Sequence, residues 1–287
     1  MAGRSNRGTW LTVALLAPTT AWFLVLLVMP LVVVVIFSLG ERAPMGGYAA
    51  AFTFEQYANL PSRFAAFKNT MTFAPLGTLV SLLIAYPLAY YLAVKVDPRW
   101  KLLLLVLVIV PFWTSLLIRT YAWIFILGGR GIPALLELIG IEGVRLINTP
   151  GAVVVGIIYG YLPLMVFPIF VSLEKLDKRL LEASNDLGST PFRTFLQVTL
   201  PLSMPGMATG CMLVFILLMG EFLIPAFLGG GKVYFIGNAL VDLFLQSRNW
   251  PFGSAVAVTL VVIMLITVGL YMRLTMGRST GRSESLM

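Results

Sequence analysis

Residues 182–201 read EASNDLGSTPFRTFLQVTLP and are called here the polar segment, because the rest of the chain is dominated by apolar residues. Gly188 is suited to the left-handed turn that ends a helix. Just after it, Ser189 or Thr190 can cap a second helix, and Pro191 is favoured at the first position of that helix. The segment therefore predicts two short helices hinged at Gly188, the second of which ends where the segment ends.

The first of these helices is predicted to be amphipathic. Apolar residues recur at helical spacing from Leu176 to Leu187, whereas Asp177, Lys178, Glu182 and Asp186 lie off that stripe. This periodicity fits a docking element and an ordinary surface helix equally well. The assignment of a function therefore depends on the residue pattern and on the side of the membrane that the segment faces.

The composition indicates a membrane protein. The chain has 287 residues, of which 59% are hydrophobic and 11% are charged, and its mean hydropathy is +0.93. These values lie outside the range of soluble globular domains. The formal net charge of +8 does not indicate a nucleic-acid partner, because the basic residues are spread over short loops and form no clustered face.

The apolar runs predict an all-α membrane protein with six spans. A membrane-spanning helix needs about 20 apolar residues, because hydrocarbon cannot satisfy exposed backbone groups. The stretches that meet this requirement are Trp10–Leu39, Thr70–Val94, Leu102–Leu127, Gly151–Leu173, Pro205–Leu228 and Ser254–Leu274. Glycine pairs four residues apart, Gly156 with Gly160 and Gly206 with Gly210, predict close helix contacts.

The distribution of basic residues predicts that both termini are cytoplasmic. With that orientation, the cytoplasmic side carries the larger set: Arg4, Arg7, Lys95, Arg99, Lys101, Lys175, Lys178, Arg179, Arg193, Arg273, Arg278 and Arg282. The outer side carries Arg42, Arg63, Lys68, Arg130, Arg145, Lys232 and Arg248. The predicted organisation is a cytoplasmic N-terminus (1–9), a permease domain (10–274) with a cytoplasmic loop at 174–204, and a cytoplasmic tail (275–287).

The sequence offers no chemistry of its own to power transport. A phosphate-binding loop needs Gly, four residues, then Gly-Lys and Ser or Thr, and the nearest approach, Gly229–Lys232, is followed by Val233. There is no histidine, which removes His-dependent metal sites and Ser-His-Asp catalysis. We therefore expect no enzyme activity, no metal and no cofactor in this chain.

The polar segment resembles a motif of permease subunits from bacterial ATP-binding-cassette importers. That motif reads Glu-Ala-Ala, three residues, Gly, nine residues, Ile-x-Leu-Pro, and the chain matches it with Ser184 for Ala and Val198 for Ile. The resemblance implies a type I ABC importer permease (MetI-like) fold with cytoplasmic coupling helices. The residues that it implies for docking on the ATPase are Glu182, Ala183, Ser184, Asp186, Gly188, Pro191, Phe192, Leu200 and Pro201.

Further stretches resemble the spermidine/putrescine branch of these permeases. They are Pro111–Ser115, Arg119–Trp123, Tyr161–Pro163, Leu176–Asp177, Gly220–Phe222, Leu228–Gly230, Ile236–Asn238 and Asn249–Gly253. The resemblance implies the bacterial inner membrane, an ATPase dimer that uses ATP and Mg²⁺, a second homologous permease and a periplasmic binding protein. Related branches carry opines, amino-acid derivatives and other small solutes, and an autonomous secondary transporter is the more distant alternative.

Two charged residues lie within predicted spans and are candidates for the substrate path, because a charge at mid-membrane costs about 2.5–3.5 kcal/mol or more. Glu221 has the sign that a polyamine needs. Arg119 has the opposite sign, so it either pairs with Glu221 or a partner carboxylate, or indicates that the solute is not a simple polycation.

Aromatic residues and one outer acid complete the predicted substrate path. Trp113, Tyr121 and Tyr161 can contact an ammonium group through cation-π interactions, or can anchor the protein at the membrane interface. Asp242 can help to receive a cation on the outer side, or can be a solvated loop acid.

Overall fold

The structure is a computed structural model that describes the backbone of residues 4–280 and their side chains except those of 4–9, 11, 178 and 274–280. Residues 1–3 of the predicted N-terminus and most of the predicted tail (275–287) lie outside this description. The α-helices are α1 (Arg4–Phe23), α2 (Met29–Ser38), α3 (Glu55–Ala58), α4 (Phe64–Tyr90), α5 (Pro98–Trp113), α6 (Leu116–Leu127), α7 (Ile132–Leu138), α8 (Pro150–Glu174), α9 (Lys178–Asp186), α10 (Pro191–Thr194), α11 (Leu200–Met219), α12 (Leu223–Leu228), α13 (Ile236–Val241) and α14 (Trp250–Thr280).

Other secondary structure is short. A 3₁₀ turn covers Leu60–Arg63, and π-helical turns cover Leu24–Val28, Tyr91–Lys95, Phe195–Thr199 and Asp242–Gln246. Two strands, β1 (Glu41–Arg42) and β2 (Tyr48–Ala49), pair antiparallel. The predicted all-α class is therefore confirmed, with one small hairpin added.

Within residues 4–280, six helical segments are long and apolar enough to cross a membrane, as predicted. They are Thr12–Ser38, Leu60–Lys95, Leu116–Leu138, Pro150–Glu174, Pro191–Met219 and Trp250–Arg273. The first, fourth and sixth agree closely with the predicted spans. The second begins at Leu60 instead of Thr70, and the third and the fifth differ further.

The third predicted span, Leu102–Leu127, is wrong as a continuous helix. Thr114 and Ser115 are extended, with ψ angles of 150° and 130°, and they separate α5 from α6. The Thr114 hydroxyl donates to the carbonyl oxygen of Pro111 at 2.7 Å, a local side-chain bond that competes with helix continuation. Hydropathy cannot detect this break, because apolar residues flank it on both sides.

The fifth predicted span is wrong at both ends. The second helix of the polar segment does not end at Pro201, because the π-helical turn Phe195–Thr199 joins α10 to α11. Pro201 lies in the first turn of α11, where a proline is tolerated. At the other end, α11 stops at Met219, and a non-helical stretch containing Glu221 separates it from α12.

The described residues form two compact units, residues 4–62 with 240–262 and residues 63–239 with 263–280. In the first unit, the hairpin is tied to a distant loop. The Arg42 guanidinium donates to the Ser247 carbonyl oxygen at 2.7 Å, and the Gly47 amide donates to the Arg248 carbonyl oxygen at 2.7 Å.

In the second unit, α8 is the central helix. Its residues Val153, Ile157, Met165, Val166 and Ile169 are fully buried, and they pack against α4, α11 and α12. Because lipid tails are as apolar as these side chains, α8 is held in the bundle by close van der Waals packing and not by removal of its side chains from water.

The glycine pairs make the predicted close contacts within the second unit. A Cβ atom at Gly206 would lie 2.5 Å from the Pro168 carbonyl oxygen, and one at Gly210 would lie 2.9 Å from Met165 Sδ. Gly156 approaches α12 in the same way, with Leu228 Cδ1 2.6 Å from its virtual Cβ. Helices α11 and α12 therefore sit directly on the backbone of α8.

Candidate functional site

The polar segment contains two helices joined at Gly188, as predicted. The Asp177 side chain caps α9 by accepting from the Arg179 amide at 3.0 Å. Gly188 has a φ of +79°, and its amide closes the helix on the Asn185 carbonyl oxygen at 2.8 Å. Of the two predicted caps for the second helix, Thr190 is the one that accepts from the Arg193 amide, with Pro191 at the helix start.

The two helices are also linked by side chains, a feature that sequence reasoning missed. The Ser184 and Thr194 hydroxyl oxygens lie 3.0 Å apart, and the Thr194 hydroxyl is 3.3 Å from the Asn185 side-chain oxygen. Thr194 is buried, so these bonds form where water does not compete strongly. The segment is therefore braced at a second point besides Gly188.

The surface of the polar segment is unusually apolar for a loop region. Leu187 is 87% exposed and Phe192 is 71% exposed, and Leu196 is about half exposed, as is Leu180 of α9 just before the segment. Of the residues that the motif implies for docking, Glu182, Ala183, Asp186, Gly188, Pro191 and Phe192 are exposed, whereas Ser184, Leu200 and Pro201 are partly buried. Exposed apolar side chains gathered on one segment are typical of a surface that another protein covers.

A second candidate site lies in the break between α11 and α12. Glu221 is 5% exposed, and its Oε1 atom accepts from the Leu223 amide at 2.7 Å and from the Ile224 amide at 3.2 Å. Its Oε2 atom accepts from the Tyr161 hydroxyl of α8. Both carboxylate oxygens are therefore hydrogen-bonded. The side chain caps the first amides of α12 and also connects this helix to α8.

Arg119 reaches the same part of α8 without reaching Glu221. Its guanidinium donates to the Gly160 carbonyl oxygen at 3.4 Å and lies 5.7 Å from the centroid of the Phe112 ring. Within residues 4–280, no hydrogen bond or ion pair joins Arg119 to Glu221, so the predicted pairing of these two residues is wrong. The reason is that Tyr161 and the start of α12 already occupy the carboxylate.

Arg119 also retains an unused donor. The side chain is 8% exposed, and its Nε atom has no hydrogen-bond partner in the described part of the chain. A buried donor without a partner costs about 1–3 kcal/mol, more for a charged group. This residue is therefore the least satisfied polar group of the region.

The other predicted substrate-path residues occupy different environments. Tyr161 is buried, and its hydroxyl donates to Glu221. Tyr121 is 43% exposed, and its ring centroid lies 5.1 Å from that of Phe227 in α12. Trp113 is 79% exposed at the end of α5. Asp242 belongs to the first unit, where it opens a π-helical turn and its backbone oxygen accepts from the Ser247 amide.

A helical membrane protein whose spans are interrupted beside buried charges has the architecture of a transport protein. The chain belongs to the family of binding-protein-dependent transport system inner membrane components, which it matches over residues 85–278. It is therefore a multi-pass inner-membrane permease component of such a transport system.

Curated relatives agree with this assignment. The spermidine/putrescine transport system permease protein PotB of Haemophilus influenzae is 40% identical over 274 residues, 94% of each chain. PotB of Escherichia coli is 37% identical over 257 residues, 88% of this chain and 93% of the relative. The inner membrane ABC transporter permease protein YdcU of Escherichia coli is 34% identical over 222 residues, 72% of this chain and 70% of the relative.

Solved structures support the fold. A crystal structure of a bacterial ABC transporter involved in the import of the acidic polysaccharide alginate matches with a TM-score of 0.75 and 19% identity, covering 94% of this chain and 96% of the other. A bacterial alginate ABC transporter in complex with an alginate pentasaccharide-bound periplasmic protein matches with a TM-score of 0.74 and 19% identity, covering 93% and 95%. At this identity, the likeness concerns the fold alone.

The structural role of Glu221 can be separated from the role of its charge. We expect Glu221→Ala to lower the thermal unfolding temperature of the purified protein, because it leaves two amides and a tyrosine hydroxyl without their acceptor, at about 1–3 kcal/mol for each group that stays buried and unpaired. Glu221→Gln keeps a carbonyl oxygen for the same amides and should unfold close to the wild type. Equal unfolding temperatures for all three proteins would contradict the capping role.

Proposed function

We propose that this permease carries polyamines, spermidine or putrescine, across the inner membrane, and that a separate ATPase powers the movement. The observation that supports this cargo best is the 37–40% identity to spermidine/putrescine permeases over 88–94% of the chain. The buried acid Glu221 has the charge that an ammonium group requires. A cationic solute that binds there would share this carboxylate with the Tyr161 hydroxyl and the two α12 amides.

The energy source in this proposal is a dimer of ATPase subunits that bind ATP and Mg²⁺. The sequence supplies no phosphate-binding loop, so hydrolysis is assigned to that partner and no enzyme activity to this chain. The polar segment is its docking site, since it combines the importer motif with exposed Leu187 and Phe192. This assignment requires both termini and the polar segment to be cytoplasmic, as the basic residues favour.

A second permease subunit is expected beside the break between α5 and α6. Trp113, Thr114 and Ser115 are exposed there, and the backbone at the last two is not helical. Lipid cannot satisfy such backbone groups, so protein or a water-filled path must cover them. A periplasmic binding protein, which the family description and the complex of the structural neighbour both suggest, would deliver the cargo on the outer side.

One observation favours a different cargo. The unpaired Nε atom of Arg119 is buried near Tyr161, and a guanidinium is well suited to a carboxylate. An opine or another amino-acid derivative would supply that carboxylate. The same type of importer with a carboxylate-bearing solute is therefore the second candidate.

The cargo is tested with the assembled complex in proteoliposomes, by measuring ATP hydrolysis and uptake against a panel of solutes offered with the binding protein. We expect spermidine or putrescine to stimulate both activities, because a polycation matches the charge of Glu221 and can contact the aromatic side chains. Stimulation by amino-acid derivatives alone would favour the second candidate. Uptake by this chain without the ATPase would contradict the proposal and indicate a secondary transporter.

The docking role of the polar segment is tested at Gly188. A Cβ atom there meets nothing within 4 Å, so a substitution acts only through the positive φ angle. We expect Gly188→Val to leave the subunit inserted but to lower uptake per ATP hydrolysed, because a left-handed conformation costs roughly 1–2 kcal/mol in non-glycine residues. Gly188→Asn is the matched control, since asparagine tolerates that conformation. Unchanged uptake in the valine variant would reject the role.

A further inference from the structure

Phe195 lies within the polar segment, at the start of the π-helical turn that leads into α11. It is the first residue of the π-helical turn Phe195–Thr199, and its ring meets two tyrosines of α4 edge-on. The ring centroid lies 5.8 Å from that of Tyr86 and 5.8 Å from that of Tyr90, with interplanar angles of 79° and 89°. These three residues are called here the aromatic clamp.

The geometry of the clamp follows from helix spacing. Tyr86 and Tyr90 are four residues apart and therefore share one face of α4. Edge-to-face ring pairs at this separation attract each other beyond the effect of the area that they bury. All three side chains are only partly buried, so the clamp is held by these ring contacts more than by a surrounding core.

Tyr86 contacts the chain on both sides of the π-helical turn. Its ring meets Phe195, the first residue of the turn, and its hydroxyl oxygen lies 3.0 Å from the hydroxyl oxygen of Ser203, which follows the turn. Ser203 in turn donates to the Leu200 carbonyl oxygen at 3.0 Å. A single side chain of α4 thus fixes the two ends of the turn relative to each other.

The helix α4 departs from α geometry at the same place. The π-helical turn Tyr91–Lys95 begins directly after Tyr90. Single π-helical turns occur often at functional sites, where they interrupt the regular hydrogen-bond register of a helix. Two such turns, one on each of two contacting helices, therefore border the clamp.

A continuous chain of contacts runs from the exposed helix to α4. In α9, Ser184 is hydrogen-bonded to Thr194, and the next residue is Phe195 of the clamp. A displacement of α9 must therefore move Phe195 against Tyr86 and Tyr90.

We propose that the aromatic clamp transmits movement of the polar segment to α4 and α11 during transport, with Phe195, Tyr86 and Tyr90 as positioning residues. This inference rests on the proposed docking of the ATPase and adds the residues that carry the motion into the membrane. None of the three contacts the solute or ATP in this scheme. Their effect is on the number of solute molecules moved for each ATP hydrolysed.

The test uses the complete complex in proteoliposomes and compares uptake per ATP hydrolysed for the wild type, Phe195→Ala and Phe195→Tyr. We expect Phe195→Ala to bind the ATPase and hydrolyse ATP but to lose about tenfold in uptake per ATP, within the roughly 5–150-fold range of coupling between two sites. Phe195→Tyr keeps the ring and should retain most of the ratio. Phe167→Ala, at a partly exposed phenylalanine of α8 outside the clamp, is the matched control and should behave as the wild type.

The outcomes separate this inference from the proposed function. If the Phe195→Ala complex transports with the wild-type uptake per ATP hydrolysed, the clamp proposal is overturned and the proposed importer function stands. Absence of ATP-driven uptake by the wild type for every solute overturns the proposed function itself. If Phe195→Ala does not assemble, Tyr90→Leu decides, because it removes one of the two ring contacts to Phe195 and leaves the contact between Tyr86 and Ser203 in place: a lowered uptake per ATP supports the clamp, and an unchanged value contradicts it.

Discussion

Hydrocarbon cannot hydrogen-bond to a polypeptide backbone, so this permease must satisfy the backbone groups of its membrane-spanning segments within the protein. Wherever a membrane-spanning helix is interrupted, another group must satisfy the freed amides and carbonyls. At the break after α11, Glu221 does so by accepting from the two amides that begin α12. Because Tyr161 holds the second oxygen of the same carboxylate, the break is also fixed to the central helix α8.

The constraint gives the buried charges different roles. Glu221 is hydrogen-bonded within the chain through both carboxylate oxygens. Arg119 of α6 contacts the stretch of α8 that carries Tyr161, and its Nε atom has no partner among the described residues. One buried charge is therefore held by the chain, and the other keeps an unused donor. The polar segment contacts α4 through Phe195, so a movement imposed on this segment by another protein would reach α4 through that residue.

Sequence reasoning predicted the class, the six spans and the local form of the polar segment, because apolar length, Gly188 and Pro191 each have a direct structural consequence. It could not predict the breaks at Thr114 and Glu221, since a few non-helical residues between apolar runs leave hydropathy unchanged. From the signs of the charges it offered Glu221 or a partner carboxylate as the partner of Arg119, or a solute that is not a simple polycation. The side chain that binds the acid, Tyr161, depends on how α8 packs against α12. The clamp at Phe195 was missed for the same reason, as its partners are more than a hundred residues away along the chain.

The account depends most on the polar segment being cytoplasmic and covered by the ATPase. The most direct test is thiol labelling of Ser189→Cys, in a background where Cys211, the only cysteine of the chain, is replaced by serine. With a membrane-impermeant reagent, the account predicts labelling in inside-out vesicles, none in sealed right-side-out cells, and protection when the ATPase is bound. Labelling from the outside, or equal labelling with and without the ATPase, would contradict it.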